Sequence, residues 1–274
     1  MSDLFLPGNV AVVTGAALGI GRATCCRVAS AGMKVCMVDL PGEDFDAAIA
    51  SVSRVATDRG NIMAAAVDVA DYGAMEALAA SVEHRFGSAD ILFNNAVTRI
   101  GRGMWADLDE WKAALDVNLW GVIHGVRAFA PAMIAQGRPA AIINAGSKQG
   151  ITNPPGHPVY NLAKAALKSY TESLAHDLRN TEGARVSAHL LVPGWTTTGH
   201  KEHRQGAWRP EQVVEMMIDS VHRGSFYIIC PDDEVTPEMD RLRVLWSAGD
   251  IAEDRPALSR WHPDFKDAFE RFKG

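Results

Sequence analysis

Short apolar runs with almost no polar alternation, each followed by a helix-patterned run, constrain this chain more than any other feature. The apolar runs are 10–14 (VAVVT), 34–38 (KVCMV), 62–67, 91–93, 140–144 (AAIIN), 186–192 (VSAHLLV) and 226–230 (FYIIC). Helical spacing covers 19–31, 46–59, 72–86, 108–136 and 159–179, and Gly32, Gly60 and Gly87 stand where helix C-caps are expected. A strand that is apolar at nearly every position is buried on both faces, as in a parallel sheet covered by helices. Parallel neighbours need crossovers, and these are right-handed. The predicted fold is α/β: one domain over 1–274, a doubly wound parallel sheet of about seven strands with helices on both faces. Segments 195–210 and 231–274 fall outside the alternation.

With 274 residues, 47% hydrophobic and 22% charged, the chain can bury a large core. Its formal charge of -6 argues against nucleic-acid binding, which favours a basic face. Cys25, Cys26, Cys36 and Cys230 lack CxxC spacing and read as small buried hydrophobes, which fits a reducing compartment. The start, MSDLFLPGNVAVVTG, lacks the pattern of a signal peptide, and no run of about 18 apolar residues suggests a membrane span. A cytoplasmic protein with no membrane partner is expected. Nothing in the spacing of His, Cys, Asp and Glu predicts a metal.

Directly after the first apolar run comes Thr14-Gly15-Ala16-Ala17-Leu18-Gly19-Ile20-Gly21, then a helix. Glycines at such a turn allow a tight reversal and close approach of backbone to a pyrophosphate, and the helix N-terminus supplies free N–H groups. Gly15, Leu18, Gly19, Ile20 and Gly21 are therefore candidate nucleotide-binding positions. Asp39 ends the second run, where a carboxylate can accept from both ribose hydroxyls of NAD and repel the 2′-phosphate of NADP. Leu40 follows it with no adjacent cation, although Arg22 is a mild counterweight, so NAD is expected ahead of NADP. Asp68 and Val69 follow the third run, where an adenine edge can be read; a plain helix N-cap is the other reading of Asp68.

Tyr160 and Lys164 lie four residues apart in HPVYNLAKAALKSY, on one helical face. A phenol normally ionises near pH ~10, and an ammonium beside it favours the phenolate, which suits acid/base work on an alcohol or carbonyl oxygen. The spacing alone fits a surface pair equally well.

In order and spacing, Thr14-Gly15-x-x-x-Gly19-x-Gly21, Asn94-Asn95-Ala96, Asn118, Ser147, Tyr160-x-x-x-Lys164 and Pro193-Gly194 resemble the short-chain dehydrogenases/reductases, in the subfamily of shorter chains, over about 7–230. The resemblance implies a Rossmann-type fold and an NAD(P)-dependent oxidoreductase acting on a secondary alcohol or ketone. It implies Tyr160 as general acid/base and Lys164 as its cationic partner and ribose ligand. Ser147 would hold the substrate oxygen, and Asn118 would bind a water that passes the proton on. Asn95, Ala96, Pro193, Gly194, Thr196 and Thr198 would line the cofactor. It further implies a homodimer or homotetramer and a substrate lid over 195–215.

Two positions depart from the family pattern: Val97 replaces the usual Gly after Asn-Asn-Ala, and Asn144-Ala145-Gly146 precedes Ser147. The lid carries His200, Lys201, His203, Arg204 and Arg209, and the loop after the fourth run carries Arg99 and Arg102. An anionic substrate group bound there is one reading; a solvated polar loop is the other. Trp105, Trp195 and Trp208 either wall a bulky or aromatic substrate or pack the lid onto the core. His157 precedes the tyrosine helix, at the substrate or merely exposed. In the extension 231–274, Phe265, Phe269 and Phe272 share a helical face that can dock on its own subunit or on a partner. A non-catalytic nucleotide-binding sensor is the alternative function, but such proteins usually lose the Tyr or Lys kept here. Sugar-nucleotide epimerases share this chemistry but need a larger C-terminal domain.

Overall fold

The computed structural model describes residues 4–273. Seven strands, β1 (Val10–Thr14), β2 (Lys34–Asp39), β3 (Ile62–Ala66), β4 (Ile91–Asn94), β5 (Ala140–Ala145), β6 (Val186–Val192) and β7 (Tyr227–Ile229), form one sheet. Its order is β3-β2-β1-β4-β5-β6-β7, and every pairing is parallel. The helices are α1 (Gly19–Ser30), α2 (Glu43–Val55), α3 (Tyr72–Phe86), α4 (Leu108–Leu115), α5 (Gly121–Ala135), α6 (Gln149–Thr152), α7 (Pro158–Asn180), α8 (Pro210–His222), α9 (Pro237–Ala252) and α10 (Lys266–Lys273).

The apolar strands serve two cores because successive side chains point to opposite faces. Ala11 and Val13 of β1 pack with Val28 of α1, Phe45 of α2 and Val213 of α8. Val10 and Val12 pack with Met75 of α3, Val126 of α5 and Leu178 of α7. Each fully buried Val, Leu, Ile, Phe or Met contributes about 1.5–3 kcal/mol relative to exposure. The chain runs from β1 outward to β3, then returns to place β4 on the other side of β1. That reversal opens a crevice beyond the C-terminal ends of β1 and β4, which is where such sheets bind ligands.

Several expected boundaries are corrected. The helix expected over 46–59 is α2, which starts at Glu43, where three acidic residues favour the N-terminal dipole, and ends at Val55. Asp58 then accepts the Gly60 N–H in a separate short turn. The single helix expected over 108–136 is two helices joined by a π turn, Asp116–Trp120. Asn118 lies in that turn, fully buried, with its carboxamide turned to the loop after β4. The cap of α3 is Asp71, which accepts from Ala74 N; Asp68 instead accepts from Ala70 N in the preceding loop.

The extension is ordered into α9, two 3₁₀ turns and α10. Phe269 and Phe272 stack edge-on against Trp246 of α9, at 5.1 and 5.2 Å. The aromatic stripe thus docks on its own subunit, while Phe265 sits in the 3₁₀ turn and stacks on His262. The four cysteines are free; burial pushes the Cys36 and Cys230 thiols up to about 12. Among the described residues no helix is long and apolar enough to cross a membrane.

Candidate active site

The crevice is a cleft of about 1360 Å³. Its floor is the glycine-rich turn between β1 and α1. Gly15 and Gly19 have φ of +65° and +54°, where a side chain is strained. A Cβ on Gly21 would lie 2.0 Å from the Gly15 carbonyl oxygen, so Gly21 is the position where helix and turn pack together and does not line the cleft. Leu18 and Ile20 do line it. Asn95 holds the turn: its Nδ2 donates to the Thr14 and Gly15 carbonyls at 3.1 and 3.2 Å. Thr14 Oγ1 accepts from the N–H groups of Asn95 and Ala96 in return.

Asp39 stands at the end of β2. Its Oδ2 accepts from Ala17 N at 2.7 Å and its Oδ1 from Leu40 N at 2.8 Å. Both oxygens keep a free lone pair for a further donor. Leu40, Asp68 and Val69 line the same end of the cleft, whereas Arg22 is exposed and does not. The glycine cradle and a fixed carboxylate fit the pyrophosphate and ribose of a dinucleotide.

The other end is built by β5, α6 and α7. Proline at the start of α7 pre-sets the helix, and the i, i+4 spacing places Tyr160 and Lys164 on its cleft face. Tyr160 is 7% exposed and Lys164 2%. The Lys164 Nζ lies 5.7 Å from the Tyr160 ring centre and donates to the Ala145 carbonyl at 2.7 Å. Gly150 lets α6 press against α7: a Cβ there would meet the Lys164 carbonyl carbon at 2.4 Å. Ser147 lines the cleft, and its Oγ accepts from Gln149 N at 3.1 Å, which leaves its own proton free to donate.

Burial lowers the Lys164 pKa to about 7, with the positive charge of Arg99 a second cause. Between pH about 7 and 10.5 the unfolded chain therefore holds a proton that the folded chain has released, so this group makes stability rise with pH there. Below pH 7 its buried charge is a constant penalty. Cofactor-free Lys164→Met is thus expected to gain stability over wild type most at pH 6, the gap closing toward pH 10 by at most about 1.4 kcal/mol per pH unit. Denaturant melts of both proteins across that range measure it; a gap independent of pH would contradict the assignment.

The Asn118 carboxamide is engaged by the loop after β4. Its Oδ1 accepts from Thr98 N at 3.0 Å and its Nδ2 donates to Thr98 O at 2.9 Å, so the carboxamide braces the loop after β4. Among the loop cations, Arg102, His203 and Arg209 do not line the cleft, nor does His157. His200 is paired with Asp44 of α2 at 3.0 Å. Arg99 lies over the Tyr160 ring at 4.9 Å.

Pro193, Gly194, Thr196 and Thr198 line the cleft after β6. Thr196 Oγ1 donates to the Gly194 carbonyl, and the Thr198 methyl lies over Gly19. Trp208 packs onto the core and bonds Asp233 through Nε1, Trp195 lines the cleft, and Trp105 is 95% exposed, outside it. Of the three tryptophans only Trp195 lines the cleft, and Trp208 takes the other reading by packing onto the core.

Sequence reasoning missed a buried charge node. Lys148, next to Ser147, lies 2.6 Å from Asp240 of α9 and 3.5 Å from Asp232. Asp232 also accepts from the N–H groups of Trp195, Glu234 and Val235. The serine loop, the start of segment 195–215 and the extension therefore meet at one point. No local pattern signals a contact between residues so far apart in the chain.

The model of the short chain dehydrogenase family matches residues 9–207. The chain is similar to a 1-deoxy-11-beta-hydroxypentalenate dehydrogenase of Streptomyces avermitilis, with 35% identity over 254 residues, 89% of this chain and 92% of that protein. It is 34% identical to a 3-oxoacyl-[acyl-carrier-protein] reductase of Synechocystis over 72% of this chain and 78% of that one. Among solved structures, a short-chain dehydrogenase/reductase from Burkholderia phymatum in complex with NAD superposes with TM-score 0.82 at 29% identity, over 93% of this chain and 97% of that chain. A metagenomic short-chain oxidoreductase in complex with NADP superposes with TM-score 0.69 at 28% identity, over 82% and 97%. With this fold, this cleft and a family match across most of its length, the chain belongs to the short-chain dehydrogenase family, the NAD(P)-dependent oxidoreductases that act on hydroxyl groups.

Proposed function

We propose that this enzyme interconverts a secondary alcohol and its ketone with NAD(H), using Tyr160 as general acid/base. The carrying observation is that Tyr160, Lys164 and Ser147 line the same cleft as Gly15 and Asp39, at its opposite end. Held between the glycine turn and Pro193–Gly194, a nicotinamide cofactor would supply or accept the hydride. In reduction the Tyr160 hydroxyl gives its proton to the ketone oxygen as negative charge builds there; in oxidation it takes the proton back. The Ser147 hydroxyl, its oxygen already engaged by Gln149 N–H, donates to the same oxygen and stabilises that charge. A protonated Lys164, anchored on the Ala145 carbonyl, offsets the charge left on the tyrosine oxygen. Asn118 acts through Thr98, as a positioning residue for the wall opposite. Segment 195–215 serves as the lid, its near end tied to Asp232 and His200 tied to Asp44.

The similarity to a relative named for dehydrogenation of a hydroxylated compound supports an alcohol as the group oxidised. A screen of secondary alcohols and ketones with NAD(H) and NADP(H) tests the reading; no turnover across a broad panel would overturn it.

Asp39 supports NAD over NADP, because a carboxylate at the end of β2 repels a 2′-phosphate and Leu40, the residue after it, carries no charge. Wild type is expected to favour NADH over NADPH in kcat/KM by at least about tenfold. Asp39→Asn, which removes the charge and keeps an acceptor, is expected to bring the ratio toward one. Preference of the wild type for NADPH would refute the role of Asp39.

A further inference from the structure

We propose that Arg99 is a specificity-determining residue, and that the substrate carries a carboxylate a few carbon atoms from its reacting alcohol or ketone, beside an apolar body. This rests on the oxidoreductase reading of the same site. The guanidinium of Arg99 lies 4.9 Å from the centre of the Tyr160 ring, so an anion bound to it falls within one small molecule's length of the phenol oxygen. Among the described residues no carboxylate pairs with Arg99, nor with Lys201 or Arg204 of the same lining, whereas His200 pairs with Asp44; Arg99 is set apart by its place over the Tyr160 ring.

The carboxylates along the cleft are unevenly placed, and the segment after β6 adds His200, Lys201 and Arg204 to the lining. Asp39, Glu43, Asp44 and Asp68 line the end formed by β2, α2 and the loop after β3. His200, itself held at α2, is followed by Lys201 and then Glu202, and all three line the cleft. Arg99 and Lys164 lie 4.9 and 5.7 Å from the Tyr160 ring centre, and among the described residues no carboxylate pairs with either. The Arg99 charge also contributes to the lowered pKa of Lys164, which places uncompensated positive potential at this end. A carboxylate on the substrate supplies the missing negative charge, and the planar guanidinium matches it with two parallel N–H donors.

The walls beside Arg99 are apolar. Val97 is 51% exposed, Ile100 43% and Trp195 41%, and all three line the cleft. Val97 stands where the family pattern has glycine, so this chain adds an apolar side chain to the cleft lining two residues before Arg99. Water displaced from such walls strengthens the ion pair they flank.

The test compares the keto acid benzoylpropanoate with its uncharged primary amide, which share the apolar ring and the ketone. With wild-type enzyme and reduced cofactor, kcat/KM for the acid is expected to exceed that for the amide by about ten- to hundredfold. The ratio falls toward one in Arg99→Met, is partly kept in Arg99→Lys, and shrinks with added salt. Binding of both compounds to the wild type and Arg99→Met, by calorimetry, gives a readout independent of turnover. Equal treatment of acid and amide by the wild type, in binding and in turnover, overturns the proposal and leaves the oxidoreductase reading standing if both are reduced. Selective, Arg99-dependent binding of the acid with no reduction of either ketone supports the anion site and counts against that reading.

Discussion

Tyr160→Phe is expected to lower kcat about a thousandfold while leaving the cofactor dissociation constant within about threefold of wild type. General acid/base catalysis by a positioned group contributes about 10²–10⁴. The substitution removes only the hydroxyl. The ring that lies beneath Arg99 and beside Lys164 remains, so packing and the charge arrangement around it persist. Steady-state rates on a ketone of the screened panel, with cofactor affinity from fluorescence quenching, separate lost chemistry from lost binding. Full activity in this variant would remove tyrosine from the mechanism and shift attention to Ser147, the remaining hydroxyl of the catalytic end.

The second large effect concerns stability. Lys148→Met is expected to cost about 3–5 kcal/mol and to lower Tm by on the order of 10 °C. The ammonium lies between the carboxylates of Asp240 and Asp232, whose side chains are 7% and 3% exposed. Removing it leaves two buried negative groups without their shared cation. Burial raises the Asp240 pKa, and Lys148 opposes that shift. Adding Asp240→Asn to Lys148→Met removes one of the uncompensated charges and is expected to restore about half of the loss, a coupling that a double-mutant cycle reads directly. Because Asp232 also holds the Trp195 amide, the single variant is expected to raise KM as the start of the lid loosens. A melting curve that matches wild type would show that the node contributes nothing to stability.

Much of the architecture is legible before any coordinates, for a local reason. VAVVT, KVCMV and AAIIN read as strands because each is apolar on both faces, and each is a central strand covered by helices. The turn Gly15–Gly21 is legible because its backbone conformation excludes side chains at fixed positions. Tyr160 and Lys164 are legible because the helix repeat alone makes them neighbours. Elsewhere the local signal misleads. The apolar spacing of 108–136 continues smoothly through Asp116–Trp120, yet the backbone there widens into a π turn around Asn118. Phe265 shares the period of Phe269 and Phe272 but belongs to a preceding 3₁₀ turn.

The amino-acid sequence by itself determined the parallel α/β sheet, the glycine-rich turn after β1 and the pairing of Tyr160 with Lys164 on one helix face, since each is written in residues within one element or one turn. Only the tertiary structure decided which loop cation stands over Tyr160, that the Asn118 side chain is engaged by Thr98, and that Lys148 joins the serine loop to the segment after β6 and the extension. Those contacts link residues distant in the chain. Their partners are chosen by how packed elements bring charges and amides together out of water, where an unpaired polar group is costly, and no spacing along the chain records that choice.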